Sequence, residues 1–368
     1  ESNTGGPVLS GITTFSGQKY FIPPKGTTAE RPSDCPPGSI RFNTDSAHLE
    51  YWNGSVWLEF EASSEELGQG TSGDAGTGIR AIIHMGFSPA NKNTINALNM
   101  ANGGTATDFG NSTISARQQG SCASSIRALR AGGYVSAFSD VIDFVTISST
   151  GDATDFGNLT QARGGYLGSI SNNTRGLFAG GYKDGPATRY NIIDYVTIAQ
   201  TGNAVDFGDL TATKSAPGNG VASPVRGVFF GGYTPTQVNS IDYMTISTLG
   251  NALNFGDCTS TVRSGAGASN ATRGLYMGGQ RSPASSSNVI EFITIASTGN
   301  AQDFGDLDAA SDMGASAASS IRAIHHRALG NTDVSSVMIA TTGNSIDFGD
   351  TSESAAQTSG CSNGHGGL

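Results

Sequence analysis

The sequence predicts an all-β chain made of six copies of one four-stranded unit, and three repeated phrases carry that reading. The first, fullest as "NAQDFGDL" (Asn300 to Leu307), returns as "TATDFGNS", "DATDFGNL", "NAVDFGDL", "NALNFGDC" and "NSIDFGDT". Its phenylalanines, Phe109, Phe156, Phe207, Phe255, Phe304 and Phe348, lie 47, 51, 48, 49 and 44 residues apart. A second phrase, "TRGLFAGGY" (Thr174 to Tyr182), and a third, "NIIDYVTIAQTG" (Asn191 to Gly202), keep step with it. Each unit then reads as four strands, as in "GYLGSISN", "RGLFAGGY", "IDYVTIA" and "AVDFGDL". Short strands with frequent turn signals, repeating at this period, are the mark of propeller blades stacked about an axis. A Gly-rich composition with few charges but periodic Ile, Val and Phe fits tight-turned strands better than disorder.

The elements follow in chain order. "FIPPKGTTAERPSDCPPG" (Phe21 to Gly38) is Pro-rich and reads as an extended linker. "SIRFNTDSAHLEYWNGSVWLEF" (Ser39 to Phe60) reads as three strands, with a hairpin turn at Asn53-Gly54. Both tryptophans fall in this meander, and so small a sheet cannot bury two indoles alone. Phe42, Leu49, Tyr51, Trp52 and Trp57 are therefore the expected oligomerisation or attachment residues. The expected boundaries are an attachment region at 1–61, a flexible acidic Gly/Ser-rich linker at 62–76, and the six-unit domain at 77–368. The first unit opens directly on its second strand, "TGIRAIIHMGF", whereas the last is followed by a surplus strand in "AAQTSGCSNGHGGL". That C-terminal strand is expected to complete the first blade and close the ring, hiding two sheet edges. The chain starts at Glu1, which leaves room for a segment upstream.

The net charge of −10 argues against nucleic acid or anionic lipid as the main partner. No apolar run approaches the roughly 18 residues of a membrane span, so membrane insertion is not expected. Cys35, Cys122, Cys258 and Cys361 are too scattered for a disulfide framework or a zinc site and read as free thiols. The "DFG" triplet is also the magnesium-binding motif of kinases, but the nucleotide loop, strand lysine and HRD loop that must accompany it are missing, and one copy reads Asn254-Phe255-Gly256. The aspartate reads instead as a turn residue beside a glycine. His84 and His326 hold matching positions in the first and last units, and His365 lies in the closing strand. These are weak metal candidates at most, and packing at an irregular seam is the plainer reading. No cofactor and no catalytic residue are expected. Paired carboxylates for glycan cleavage, whose placement would be tertiary, keep a depolymerase open as a lesser alternative.

Arg80, Arg127, Arg175, Arg226, Arg273 and Arg322 precede the Gly-Gly strand once per unit and read as bonds to a neighbouring blade's carbonyls or carboxylates. The second-to-third connections vary most between units, and a rigid frame with variable loops is how a scaffold presents a binding surface. Lys183, Asp184, Arg189, Tyr190, Gln237 and Arg281 are the expected contacts there.

Taken in order, the Gly-Gly strand, the N-x-[IV]-[DE]-[YF] strand, the aromatic before the turn and "L-T-x-A-R" resemble the kelch repeat over about four-fifths of the chain. Phe stands where kelch blades usually carry Trp, and the outer units replace Gly-Gly with "IIHMGF" and "HHRALG". The resemblance implies a six-bladed kelch-like propeller and does not by itself imply an activity. The segment "TTAERPSDCPPGSIRFNTDSAHLEYWNGSVWLEF" resembles a module of fibre and appendage proteins in tailed phages, marine cyanophages above all. Phage chains of that kind also carry "VTISSTGNAQDFGDL"-type repeats. The resemblance implies a virion protein with other virion proteins as partners, a homotrimer through the N-terminal region, and host-surface glycan as the ligand of the propeller. A purely structural head, neck or capsid decoration is the alternative.

Overall fold

The computed structural model describes residues 23–46, 48–60, 79–183, 188–283 and 285–368, in two compact units within Glu1–Glu65 and Glu66–Leu368. The chain is all-β, and the one helical turn among the described residues is a 3-10 turn at Thr28–Glu30. The expected linker at 62–76 lies outside the described residues.

In the smaller unit Ile40–Asn43, His48–Trp52 and Trp57–Glu59 form the expected antiparallel meander. The Pro-rich stretch before it is not merely a linker. Lys25–Gly26 adds a parallel strand to Ile40–Asn43, and Thr27 with Glu30 closes a capping box on the turn that follows. Alternation along the strands then sorts two faces. One carries Glu50, which is buried and held by Arg31 at 2.5 Å, Arg41 at 3.5 Å and the Asn43 amide. Trp52 and Trp57 lie on this face, 5.7 Å apart, with the Trp57 indole donating to the Pro32 carbonyl. The tryptophans thus have partners within the unit. The other face holds Ile40, Phe42, Leu49, Tyr51, Leu58 and Phe60, and four of these, Ile40, Leu49, Leu58 and Phe60, remain exposed.

Among the described residues the larger unit contains six mainly antiparallel sheets of four or five strands, numbered here by repeat, and one two-stranded hairpin. Sheet 1 is Ser359–Ser362, Arg80–His84, Lys92–Asn99 and Thr107–Ala116, and sheet 2 is Gly120–Ala123, Arg127–Ala131, Val141–Thr146 and Thr154–Asn158. Sheet 3 runs Gly168–Ser171, Arg175–Ala179, Ile192–Thr197, Val205–Asp209, and sheet 4 runs Val221–Ala222, Arg226–Phe230, Val238–Thr245, Leu253–Arg263. Sheet 5 comprises Ala266–Ser269, Arg273–Met277, Ser287–Thr294 and Gln302–Ser311, and sheet 6 Ala315–Ala318, Arg322–His326, Asn331–Met338 and Ile346–Ala355. The C-terminal strand does pair with the first strand of the repeats, Ser359 opposite His84 and Ser362 opposite Ala81.

The recurring triplet is a β-bulge. In every sheet one third-strand residue faces the triplet's Gly, and the next, an acid in sheets 2 to 5, Asn96 in sheet 1 and Ser335 in sheet 6, faces its Asp or Asn, so the Phe between them has no partner. The unpaired Phe turns into the core, where Phe156, Phe207, Phe255 and Phe304 each meet the third-strand aromatic edge to face at 5.8–6.0 Å. Its carbonyl, freed from the ladder, accepts the N–H of the Gly in the next sheet's "TG" turn, as Phe304 O does from Gly343 N at 2.9 Å. Gly305 has φ +146°, and a Cβ there would stand 2.5 Å from the Gly343 carbonyl oxygen, so the seam requires glycine. The triplet's carboxylate is exposed and accepts its own Gly N–H at Asp108 and Asp347. This is the turn role the sequence indicates.

The recurrent arginines extend the same seam. Arg80, Arg127, Arg175, Arg226 and Arg273 donate to the carbonyls of Ile147, Ile198, Ile246, Ile295 and Ile339, each in the following sheet, at 2.6–3.0 Å. Arg322 of sheet 6 donates to Met100 of sheet 1 at 2.9 Å. Each guanidinium also lies 4.5–5.7 Å from an aromatic ring centroid of its own sheet. The Gly-Gly pairs lie outside this seam. They end the second strand in left-handed backbone, away from the innermost strands, and the second Gly donates to the connection that follows the fourth strand, as Gly181 N does to Lys214 O. The innermost strands of sheets 1, 2, 3, 5 and 6 are mostly Ala, Ser and Gly, which lets neighbouring backbones come close.

Phe304→Ala is expected to cost about 3–5 kcal/mol in denaturant unfolding as a core truncation, whereas Asn254→Asp, an exposed change, stays within about 0.5 kcal/mol of the parent.

Candidate binding face

The third strand of sheets 2 to 5 carries a fully buried acid: Asp143, Asp194, Asp242 and Glu291. A Thr from the outer end of the preceding sheet donates through its N–H and hydroxyl to each: Thr113, Thr160, Thr211 and Thr259. A buried cation completes the site, but its origin alternates. Arg163 and Lys214, at the end of the "L-T-x-A-R" phrase, reach Asp194 and Asp242 at 3.0 Å. Asp143 is instead paired with Arg130 of its own sheet at 2.8 Å, and Glu291 with Arg281 at 3.0 Å. Burial would raise the Asp143 carboxyl, but the Arg130 charge and hydrogen bonds outweigh it and hold it below its usual range.

With Asp143 and Glu291 already paired, the corresponding phrase-end arginines, Arg117 and Arg263, go elsewhere. Arg117 lies 4.8 Å from the centroid of Phe87 and 5.0 Å from that of Tyr134. Arg263 lies 4.6 Å from Tyr233, and Arg189 reaches the same ring at 4.7 Å. Phe138 bridges Tyr134 and Tyr182 by edge contacts at 5.2 Å. These residues stand on the second-to-third and fourth-to-first connections and form an aromatic and arginine rim.

Inside that rim runs a row of non-glycine residues in left-handed backbone: Gln118, Tyr166, Ala216, Ser264, Met313 and Gln357, one before each innermost strand, at φ +55° to +62°. Tyr166 N donates to Gln118 O, Ser264 N to Ala216 O, Met313 N to Ser264 O and Thr358 N to Met313 O. Beyond the row lies a cavity of about 50 Å³ lined by the innermost strands of all six sheets, with Ser121, Ser169, Ser269, Ser316 and Ser362 among its walls. At its far end His365 Nε2 meets Ala123 O at 2.8 Å, and Gly366 N donates to Ser269 O, so the C-terminal tail lies across it.

Of the expected contacts, Lys183 is exposed and Arg189 half-buried. A short hairpin brings their strands together, with Tyr182 opposite Arg189 and Lys183 opposite Thr188. Arg189 joins Tyr233, which bridges back to Gln237, and Tyr190 is half-buried nearby in sequence. Asp184 lies outside the described residues. Arg281 corrects expectation: its side chain is 7% exposed and committed to Glu291, Thr259 and Ser260, so it offers no loop surface. Sequence reading missed the rim. The residue after Gly-Gly (Tyr134, Tyr182, Tyr233, Gln280) was the available signal, because that position leaves the strand on this face.

The three histidines do not gather into a metal site, and among the described residues no three His, Cys, Asp or Glu side chains do. His84 meets Ser112, His326 meets Thr358 and the Asn331 carbonyl, and His365 lies at the far end of the cavity. Burial pushes His84 and His326 down to about 4 and the neighbouring His325 to about 3. No protein-family model matches the chain, and no curated protein is similar to it.

Two outcomes follow. Arg281→Ala, which strands the buried Glu291 charge, is expected to cost about 3–5 kcal/mol in denaturant unfolding. A loss below about 1 kcal/mol contradicts the pairing. The lowered histidines bind protons more readily in the unfolded chain, so their contribution is complete above about pH 6.5 and is lost as pH falls toward 4. Unfolding free energy should therefore fall between pH 6.5 and 4.5, by up to about 1.4 kcal/mol per pH unit for each histidine. His325→Gln should flatten the slope, and an unchanged slope in that variant contradicts the assignment.

Proposed function

We propose that the chain is a virion appendage protein of a tailed phage, whose larger unit is a closed six-bladed kelch-like propeller that recognises a host-surface glycan. The carrying observation is the match of the Thr27 to Phe60 segment, together with the repeats, to the phage appendage modules it resembles. Support for the ring comes from contacts that return to their start. The arginine bonds run from sheet 1 through sheet 6 and back to Met100, strands from both chain ends pair in sheet 1, and all six sheets line one cavity. Support for assembly comes from the small unit, whose apolar face leaves Ile40, Leu49, Leu58 and Phe60 exposed. A trimer through that face would bury it, as an apolar sheet in water requires.

The test uses the full chain. Sedimentation is expected to give a trimer that Leu58→Asp reduces to a monomer without lowering the melting temperature, and the purified trimer should adsorb to host envelope and block phage adsorption. A chain that binds phage capsid but no host envelope rejects attachment in favour of decoration.

A further inference from the structure

We infer that the glycan is held at the mouth of the central cavity, in a polar bowl around Tyr166 and Asp312, and that the variable loops around it serve as a rim. This rests on the glycan-recognition reading above and assigns it a site. Buried side-chain atoms without a partner occur on the rim, at Arg117 Nε, Arg189 Nε and Gln237 Oε1, and in a group at the mouth. The Tyr166 hydroxyl is buried and makes no well-formed hydrogen bond in the protein, with the Gln118 side chain as its near partner. The Oε1 atoms of Gln119 and Gln357 are likewise buried and unpartnered. These three come from consecutive fourth-to-first connections, and Asp312 comes from the one before them. Buried polar atoms without partners cost roughly 1–3 kcal/mol each, so four successive connections carrying three of them point to a missing partner.

The chemistry of the bowl narrows that partner. One hydroxyl can donate or accept, two amide oxygens accept, and a carboxylate accepts, with the Asp312 Oδ2 already holding Gln280 Nε2 at 2.7 Å. A polyhydroxylated ring supplies several donors and acceptors at close spacing and satisfies such a set. The Asp312 carboxylate and the acidic chain disfavour an anion, while Arg263, which bonds Gln280, and the nearby Arg117 disfavour a free cation. The aromatic rim of Tyr134, Phe138 and Tyr182 adds ring faces against which sugar C–H groups can pack. Tyr166 sits at φ +58°, a conformation that a bulky side chain rarely adopts and that clusters at functional sites. The C-terminal tail closes the far end of the cavity, so the mouth is a bowl with a floor and not a through-channel. A terminal or branching sugar unit fits such a bowl better than the middle of a long chain.

The probe is a microarray of bacterial capsular and O-antigen polysaccharides, read with the full-length protein and four variants. The parent is expected to bind at least one neutral glycan, and Tyr166→Phe and Asp312→Asn each to weaken it about tenfold, the effect of one good hydrogen bond. Asn254→Asp and Asp303→Asn, exposed changes on the fourth strands, should change binding less than about threefold. Melting temperatures distinguish a structural effect, since Tyr166→Phe removes an unsatisfied hydroxyl and should not lower stability. If the parent binds a glycan and the two mouth variants bind it equally well, the site is overturned while glycan recognition stands. If the parent binds no glycan, both fail.

Discussion

Everything in the larger unit depends on one constraint: a four-stranded sheet with two apolar faces must be covered on both. The sequence meets it with a seam written into each repeat. A bulge places Phe in the core and turns its carbonyl toward the next sheet, a glycine admits that sheet's turn, and an arginine at the start of the second strand reaches its carbonyl. None of these parts would be stable in an isolated repeat. The bulge leaves a backbone carbonyl unpaired unless a neighbour is present, and the arginine has no acceptor without the following sheet. The units therefore stabilise one another in series.

The buried acids give the second layer of the design. Each is held by a threonine from the preceding sheet, so the charge sits at the seam as well. A lone buried carboxylate is costly, and each of the four has a cation. What varies is which residue supplies it. Where Arg130 or Arg281 fills the role, Arg117 and Arg263 are released to stack on the aromatic rim. The composition of the proposed binding face is thus tied to the choice of counter-ion inside the sheets, and a change in the core can redraw the surface.

Much of the frame was legible because it repeats. The six phenylalanines counted the sheets, the arginines predicted inter-sheet bonds, and the surplus strand after Ala355 predicted the pairing of Ser359–Ser362 with Arg80–His84. What could not be read is whatever breaks the repeat's register. Arg281 looked like a loop residue because it follows Gly-Gly by two positions, yet its neighbour is a buried glutamate ten residues on. Arg117 and Arg163 stand at one motif position and have opposite fates, which local sequence does not encode. Tyr166 and Asp312 are far apart in sequence and matter through the positions of their connections around the innermost strands. In the small unit the tryptophans drew attention by size, while the exposed face belongs to residues that period-two alternation assigns only once the bond register is known.

The central claim is that the two ends of the repeat region form one sheet as firmly as the interior repeats do. Hydrogen exchange of the native chain, resolved by peptide, tests it most directly. The account predicts that the amides of Ser359–Ser362 and Arg80–His84 exchange as slowly as those of Arg226–Phe230, in the slowest class and only through global unfolding. Early, independent exchange of Ser359–Ser362 while the interior sheets stay protected would contradict it.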